Sequence, residues 1–161
     1  MYLFDANVFI TAARLYYAFD LAPGFWEWLA AQGDAGNIGS IPRVKAELTG
    51  SSDPLSEWAK ARPDGFWIAE SADTLASAGL LTAWAVSDGL PYTNAAKEEF
   101  LASADYMLIA ECHASSMPLV THEKSSPNSK RKIFIPDVCR AHQVQFEDPW
   151  QVLRALGLRL G

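Results

Sequence analysis

Apolar residues run without a break through Tyr2-Leu3-Phe4, stop at Asp5, and resume as Val8-Phe9-Ile10. A run with no polar face predicts a strand covered on both sides. The second run leads into an alanine-rich pattern, predicting a helix from about Val8 to Phe19. The order is strand, carboxylate, turn, helix. Pro23-Gly24 breaks the pattern, and Phe25 to Gln32 reads as a short aromatic helix ended by Gly33. Asn37 to Ile41 is a candidate second strand. Pro42 suits the first position of a helix to Thr49, with Val44, Glu47 and Leu48 on one stripe.

Further along, Asp53 is a cap and Pro54 opens a helix carrying Trp58. Phe66-Trp67-Ile68, bounded by Gly65, is a short strand candidate. Ser71 to Ser87 is predicted helical, with Leu80, Leu81 and Trp84 at core spacing. Thr93 or Asn94 caps a helix through Leu101, and Ser103 caps the next, whose apolar stripe is Leu108, Ile109 and Cys112. Pro118 to Thr121 reads as strand and Lys124 to Lys132 as polar loop. A short element spans about Ile133 to His142, Val144 to Phe146 alternates like a last strand, and Asp148-Pro149 opens a terminal helix stopped by Gly157. Strands separated by helical stretches imply crossover connections and a mainly parallel sheet. The expected fold class is therefore α/β, with one domain over residues 1–161.

Composition narrows this picture. Half of the 161 residues are hydrophobic, and six Trp, eight Phe and five Tyr supply large core pieces. The formal charge of −6 and pI near 5.0 argue against a nucleic-acid binder held by a basic surface alone. Two divalent ions would bring that charge to about −2 and invert the local field. Cys112 and Cys139 are the only cysteines, and no Cys/His spacing suggests zinc, which fits a reduced compartment. With a strand expected from residue 2 there is no room for a signal peptide, and no apolar run approaches the ~20 residues of a membrane helix. A cytoplasmic protein with no membrane association is expected.

The chemistry lies in the carboxylates. Asp5 and Glu123 each follow an apolar strand, so both sit at carboxyl ends of strands, where open α/β sheets bind ligands. Glu47 shares a helix stripe with Val44 and Leu48 and is expected half-buried. Asp105 lies in the first turn of its helix on the side of Ile109 and Cys112, which looks toward the strand ends. Four carboxylates at one rim repel each other unless a cation neutralises them. Oxygen-only ligands favour Mg²⁺ or Mn²⁺ over zinc. Asn7 and Thr121 stand beside Asp5 and Glu123 and are expected to orient waters or carboxylates behind the ligands.

Phe4-Asp5-Ala6-Asn7-Val8-Phe9-Ile10, Glu47, Ala104-Asp105 opening a helix, and Leu119-Val120-Thr121 at a strand end together resemble the PIN-domain superfamily. Tyr16-Tyr17, Phe19-Asp20, Pro23-Gly24-Phe25-Trp26 and Thr121-His122-Glu123-Lys124 are further similar to one subfamily of VapC-like toxin nucleases. The resemblance implies a three-layer α/β/α sandwich around a mainly parallel sheet. It implies one or two Mg²⁺ or Mn²⁺ ions held for hydrolysis of an RNA phosphodiester, with Asp5, Glu47 and Asp105 at the positions of the family's main acids. The fourth position carries Glu123 where the common pattern has an Asp after Thr-Asn, and Asp137 is an alternative to it. A toxin of this kind implies a cognate antitoxin protein and a homodimer.

Lys124, Lys130, Arg131 and Lys132 place four of the thirteen basic residues in one loop beside Glu123, a candidate contact for the RNA backbone. Two other readings stay open. A haloacid-dehalogenase-type phosphoryl-transfer enzyme also places an Asp after its first strand, but needs a second Asp where this chain has Asn7. A non-catalytic RNA- or protein-binding module would keep the shape alone.

Overall fold

The computed structural model of the chain describes residues 1–159. Four short strands, β1 (Tyr2–Phe4), β2 (Ile38–Gly39), β3 (Leu119–Val120) and β4 (Phe146–Glu147), form one sheet. Its order is β2-β1-β3-β4 and every pairing is parallel. Leu3 sits opposite Gly39 on one side and Leu119 on the other, so β1 is central. Leu3, Ile38, Leu119 and Val120 are wholly buried, as strands covered on both faces require.

The helices are α1 (Ala6–Thr11), α2 (Pro23–Asp34), α3 (Pro42–Leu48), α4 (Pro54–Lys60), α5 (Ala72–Val86), α6 (Asn94–Ala102), α7 (Ala104–Ser115), α8 (Ile135–Ala141) and α9 (Pro149–Ala155). They flank the parallel sheet in an α/β arrangement consistent with a three-layer sandwich. No helix among the described residues is long and apolar enough to cross a membrane.

Side-chain oxygens start many of these helices where the sequence indicates. Asp53 accepts the Ser56 N–H at 2.8 Å, Thr93 that of Ala96 at 3.2 Å, Ser103 that of Tyr106 at 3.4 Å and Asp148 that of Trp150 at 3.0 Å. Ser71 and Thr74 cap each other reciprocally ahead of α5.

Four expectations change. The helix expected from Val8 to Phe19 is α-helical only to Thr11; a π turn, Ala12–Tyr16, follows, closed by the Tyr17 N–H donating to the Ala12 carbonyl at 2.6 Å. Gly33 does not end α2 but lies inside it. A Cβ there would come within 2.5 Å of the Phe66 ring, so glycine makes room for that ring. Phe66-Trp67-Ile68 is not a strand. Asp64–Phe66 is a 3-10 turn, and a single bridge joins Trp67 to Ser40 at the sheet edge. Leu80 is 55% exposed while Leu81 is fully buried, because neighbours on a helix point about 100° apart.

Candidate carboxylate site at the strand ends

The site begins with backbone pairing. The Asp5 N–H donates to the Val120 carbonyl at 3.0 Å and the Thr121 N–H to the Glu147 carbonyl at 3.2 Å. These bonds fix Asp5 and Thr121 just past the carboxyl ends of neighbouring strands. The Thr121 hydroxyl then donates to Asp5 Oδ2 at 3.0 Å and accepts the Glu123 N–H at 3.1 Å. One buried hydroxyl thus orients the Asp5 carboxylate and the loop that carries Glu123. Asp5 also caps α1, with the Asn7 N–H 3.4 Å from Oδ1, while Asn7 itself is exposed. A serine that sequence reading overlooked supports the same edge. Ser40, wholly buried, donates its hydroxyl to the Phe4 carbonyl at 2.6 Å and locks the residue before Asp5. Its sole sequence signal was a polar residue at the end of an apolar strand.

Asp5 and Asp105 both feel the charges of Glu47 and Glu123, and Asp105 also that of Asp5. Burial pushes the Asp5 carboxyl up to about 6, against the Thr121 hydroxyl and Asn7 N–H and with help from Glu123 and Glu47. Burial likewise pushes Asp105 up to about 7, with Asp5, Glu123 and Glu47 adding to the rise and Lys132 opposing it. Asp105 projects from the first turn of α7 and is half-buried. Desolvation raises Glu47, and the Ala104 N–H at the start of α7 opposes it. Glu47 is more open than its helix stripe suggests. It is exposed at the rim, with only part of its carboxylate screened from water.

The basic loop separates into different roles. Lys132 Nζ donates to Glu123 Oε1 at 2.6 Å, and the Ile135 N–H at the start of α8 donates to Oε2 at 2.8 Å. The Glu123 side chain is only 9% exposed. Lys132, expected among the RNA contacts, instead supplies a positive charge to the acids and lies over the Phe134 ring. Nothing local predicts this, since the partner lies nine residues away across a loop. Lys124 pairs with Asp148 at 3.0 Å and keeps a 79% exposed side chain. Lys130 and Arg131 are exposed. Asp137 does not take the place of Glu123. It accepts the Ser125 hydroxyl and, at 3.0 Å, the Ser126 N–H, so it holds the loop instead.

The donor set is oxygen-only, which suits a hard divalent cation. As placed, no three His, Cys, Asp or Glu side chains among the described residues are close enough to hold a metal ion. The observation that bears on the fit is electrostatic. Two acids near the strand ends stay protonated more readily than usual, and a lysine ammonium is drawn to a third. Burial raises these acids most and mutual repulsion adds to it, and a bound cation would offset both by stabilising the charged forms. Asp5, Asp105, Glu47 and Glu123 are the oxygen donors of this rim, and in this arrangement Lys132 occupies Glu123.

No curated protein and no solved structure matches the chain. The match that places it is to a family model covering residues 2–160, and the chain belongs to that family, described as a domain of unknown function (DUF4411).

Proposed function

We propose that this chain is a Mg²⁺- or Mn²⁺-dependent endoribonuclease of the PIN type, acting as the toxin of a toxin–antitoxin pair. The observation that carries the reading is that burial first, and the charges of neighbouring carboxylates second, raise Asp5 and Asp105 to about 6 and 7 beside Glu47 and Glu123. Asp5, Asp105 and Glu47 would hold the metal ion, and Glu123 joins them once Lys132 moves away. When bound, the ion lowers the pKa of a coordinated water and polarises the scissile phosphate. Thr121 holds one oxygen of Asp5 by its hydroxyl and so steadies the carboxylate at the strand end. Asn7, exposed at the same turn, is positioned to orient a water or the RNA. Lys130 and Arg131 offer free charge for the phosphate backbone, and Lys124 keeps much of its charge exposed beside Asp148.

A second copy and a cognate antitoxin are the proposed protein partners. Leu75 and Val86, 56% and 57% exposed on α5 and about 20° apart around its axis at about 100° per residue, supply an apolar stripe for the second copy.

The decisive assay is Mg²⁺- or Mn²⁺-dependent cleavage of RNA by wild-type protein and by Asp5→Asn. Cleavage that the substitution abolishes supports the nuclease. Turnover of a small phosphomonoester with no RNA cleavage would support a haloacid-dehalogenase-type enzyme instead. One observation favours a third reading, a non-catalytic RNA- or protein-binding module. Lys132 already neutralises Glu123, so part of the acidic charge is balanced without metal. RNA binding with no turnover of either substrate would establish that module.

A further inference from the structure

A small aromatic cluster adjoins the carboxylates, on the side of the rim toward α9. Tyr16 and Trp150 meet edge to face with centroids 4.9 Å apart, and the His122 ring lies 5.8 Å from Trp150 and 6.5 Å from Tyr16. His122 stands between Thr121, which holds Asp5, and Glu123. The cluster and the acids therefore share one tripeptide. Tyr16 is the last residue of the π turn and is 53% exposed, unusual for a ring in a chain that buries most of its aromatics. π turns often mark functional positions because they re-aim a side chain. Although Trp150, Tyr17 and His122 all lie near it, about half of the Tyr16 surface stays open to solvent.

The charges around the cluster suit a polyanion. Lys124 is held by Asp148, whose other carboxylate oxygen caps α9 at the Trp150 N–H. Beyond Trp150, an open cavity of about 250 Å³ is lined by Tyr17, Leu153, Arg154 and Leu158. Lys124, through Asp148, and Arg154, through the cavity wall, thus flank Trp150, the ring that backs the exposed Tyr16. An aliphatic protein ligand would gain little from that charge pattern, whereas an unpaired nucleotide uses both the ring and the cations.

We propose that Tyr16, backed by Trp150 and His122, is a stacking platform for one unpaired base of single-stranded RNA, positioning the strand across the carboxylates. The inference rests on the nuclease reading for its substrate class. The platform requires single-stranded substrate at that point and tolerates any base, because every base has a π face.

The test uses the full chain in the Asp5→Asn background, with magnesium, so that RNA survives. Binding is measured for a short single-stranded RNA and for a series in which an abasic site replaces each base in turn. One position is expected to weaken binding about five- to 150-fold, with Tyr16→Ala removing that penalty and Tyr16→Phe keeping it. Tyr16 is exposed, and matching thermal midpoints confirm that its variants fold. The proposal is overturned if Tyr16→Ala binds every RNA as its parent does, if Tyr16→Phe behaves like Tyr16→Ala, or if the parent binds none of the series. Wild-type cleavage is scored separately. Cleavage without the abasic signature sinks the platform alone, and the signature without cleavage sinks the nuclease reading alone.

Discussion

Asp5→Asn tests more than activity, because this carboxyl burdens the metal-free fold. Asp5 is wholly buried and its pKa rises from 3.8 to about 6. The folded chain therefore holds this proton more tightly than the unfolded chain does. Below about pH 4 the carboxyl is protonated in both states and contributes no pH dependence. Between about pH 4 and 6 unfolding releases the proton, so wild-type stability falls as pH rises, and above that range the full cost remains. At 1.36 kcal/mol for each tenfold change in proton affinity, the cost is about 3 kcal/mol. Asparagine keeps an acceptor for the Thr121 hydroxyl and carries no charge. Asp5→Asn is thus expected to gain about 3 kcal/mol over wild type between pH 4 and pH 8 without metal. That gain corresponds to about 6–12 °C in thermal midpoint for a chain of this size. The assay is thermal unfolding of both proteins across that range with a chelator present. Manganese should then raise the wild-type midpoint at pH 8 and leave the variant much less affected. A wild-type–variant difference that is constant with pH, or that shrinks as pH rises, would refute the electrostatic reasoning.

Three further outcomes follow from the same contacts. Lys132→Met removes the partner of a nearly buried Glu123 and is expected to cost about 1–3 kcal/mol at pH 7 without metal, a loss that manganese recovers; calorimetric unfolding measures both. Lys130→Gln with Arg131→Gln, changing two exposed cations, is expected to weaken RNA binding and reduce its log–log salt slope by roughly 1.4; an unchanged slope would remove this loop from the interface. Leu75→Glu with Val86→Glu alters only exposed positions, so the fold is expected to hold within about 0.5 kcal/mol while sedimentation shows a shift from dimer to monomer.

Much of this architecture is legible in local chemistry. Tyr2-Leu3-Phe4 is apolar throughout because both its faces are covered, and the stop at Asp5 marks the strand end. Pro42, Pro54 and Pro149 each begin a helix, where a missing N–H costs nothing. The misreadings share a cause, since each depended on a distant neighbour. Gly33 reads as a helix stop until Phe66 is seen to pack on it. Leu80 and Leu81 read alike, yet only Leu81 meets the core. Phe66 to Ile68 looks like a strand, but its pairing is a single bridge at Ser40, with the Ser40 N–H donating to the Phe66 carbonyl and the Ile68 N–H to the Ser40 carbonyl. At the candidate site, Asp5 and Thr121 were readable from strand ends. The greater openness of Glu47 and the turn of Lys132 toward Glu123 were not, because side-chain reach across a rim leaves no periodic trace.

The central claim is that acids from separate strands and helices converge on one cation. A crystal soaked in manganese and measured at the manganese absorption edge tests it directly. The account predicts an anomalous peak touching both Asp5 and Asp105, with Lys132 withdrawn from Glu123. A saturating soak that leaves no peak there, or puts one only among other residues, would contradict it.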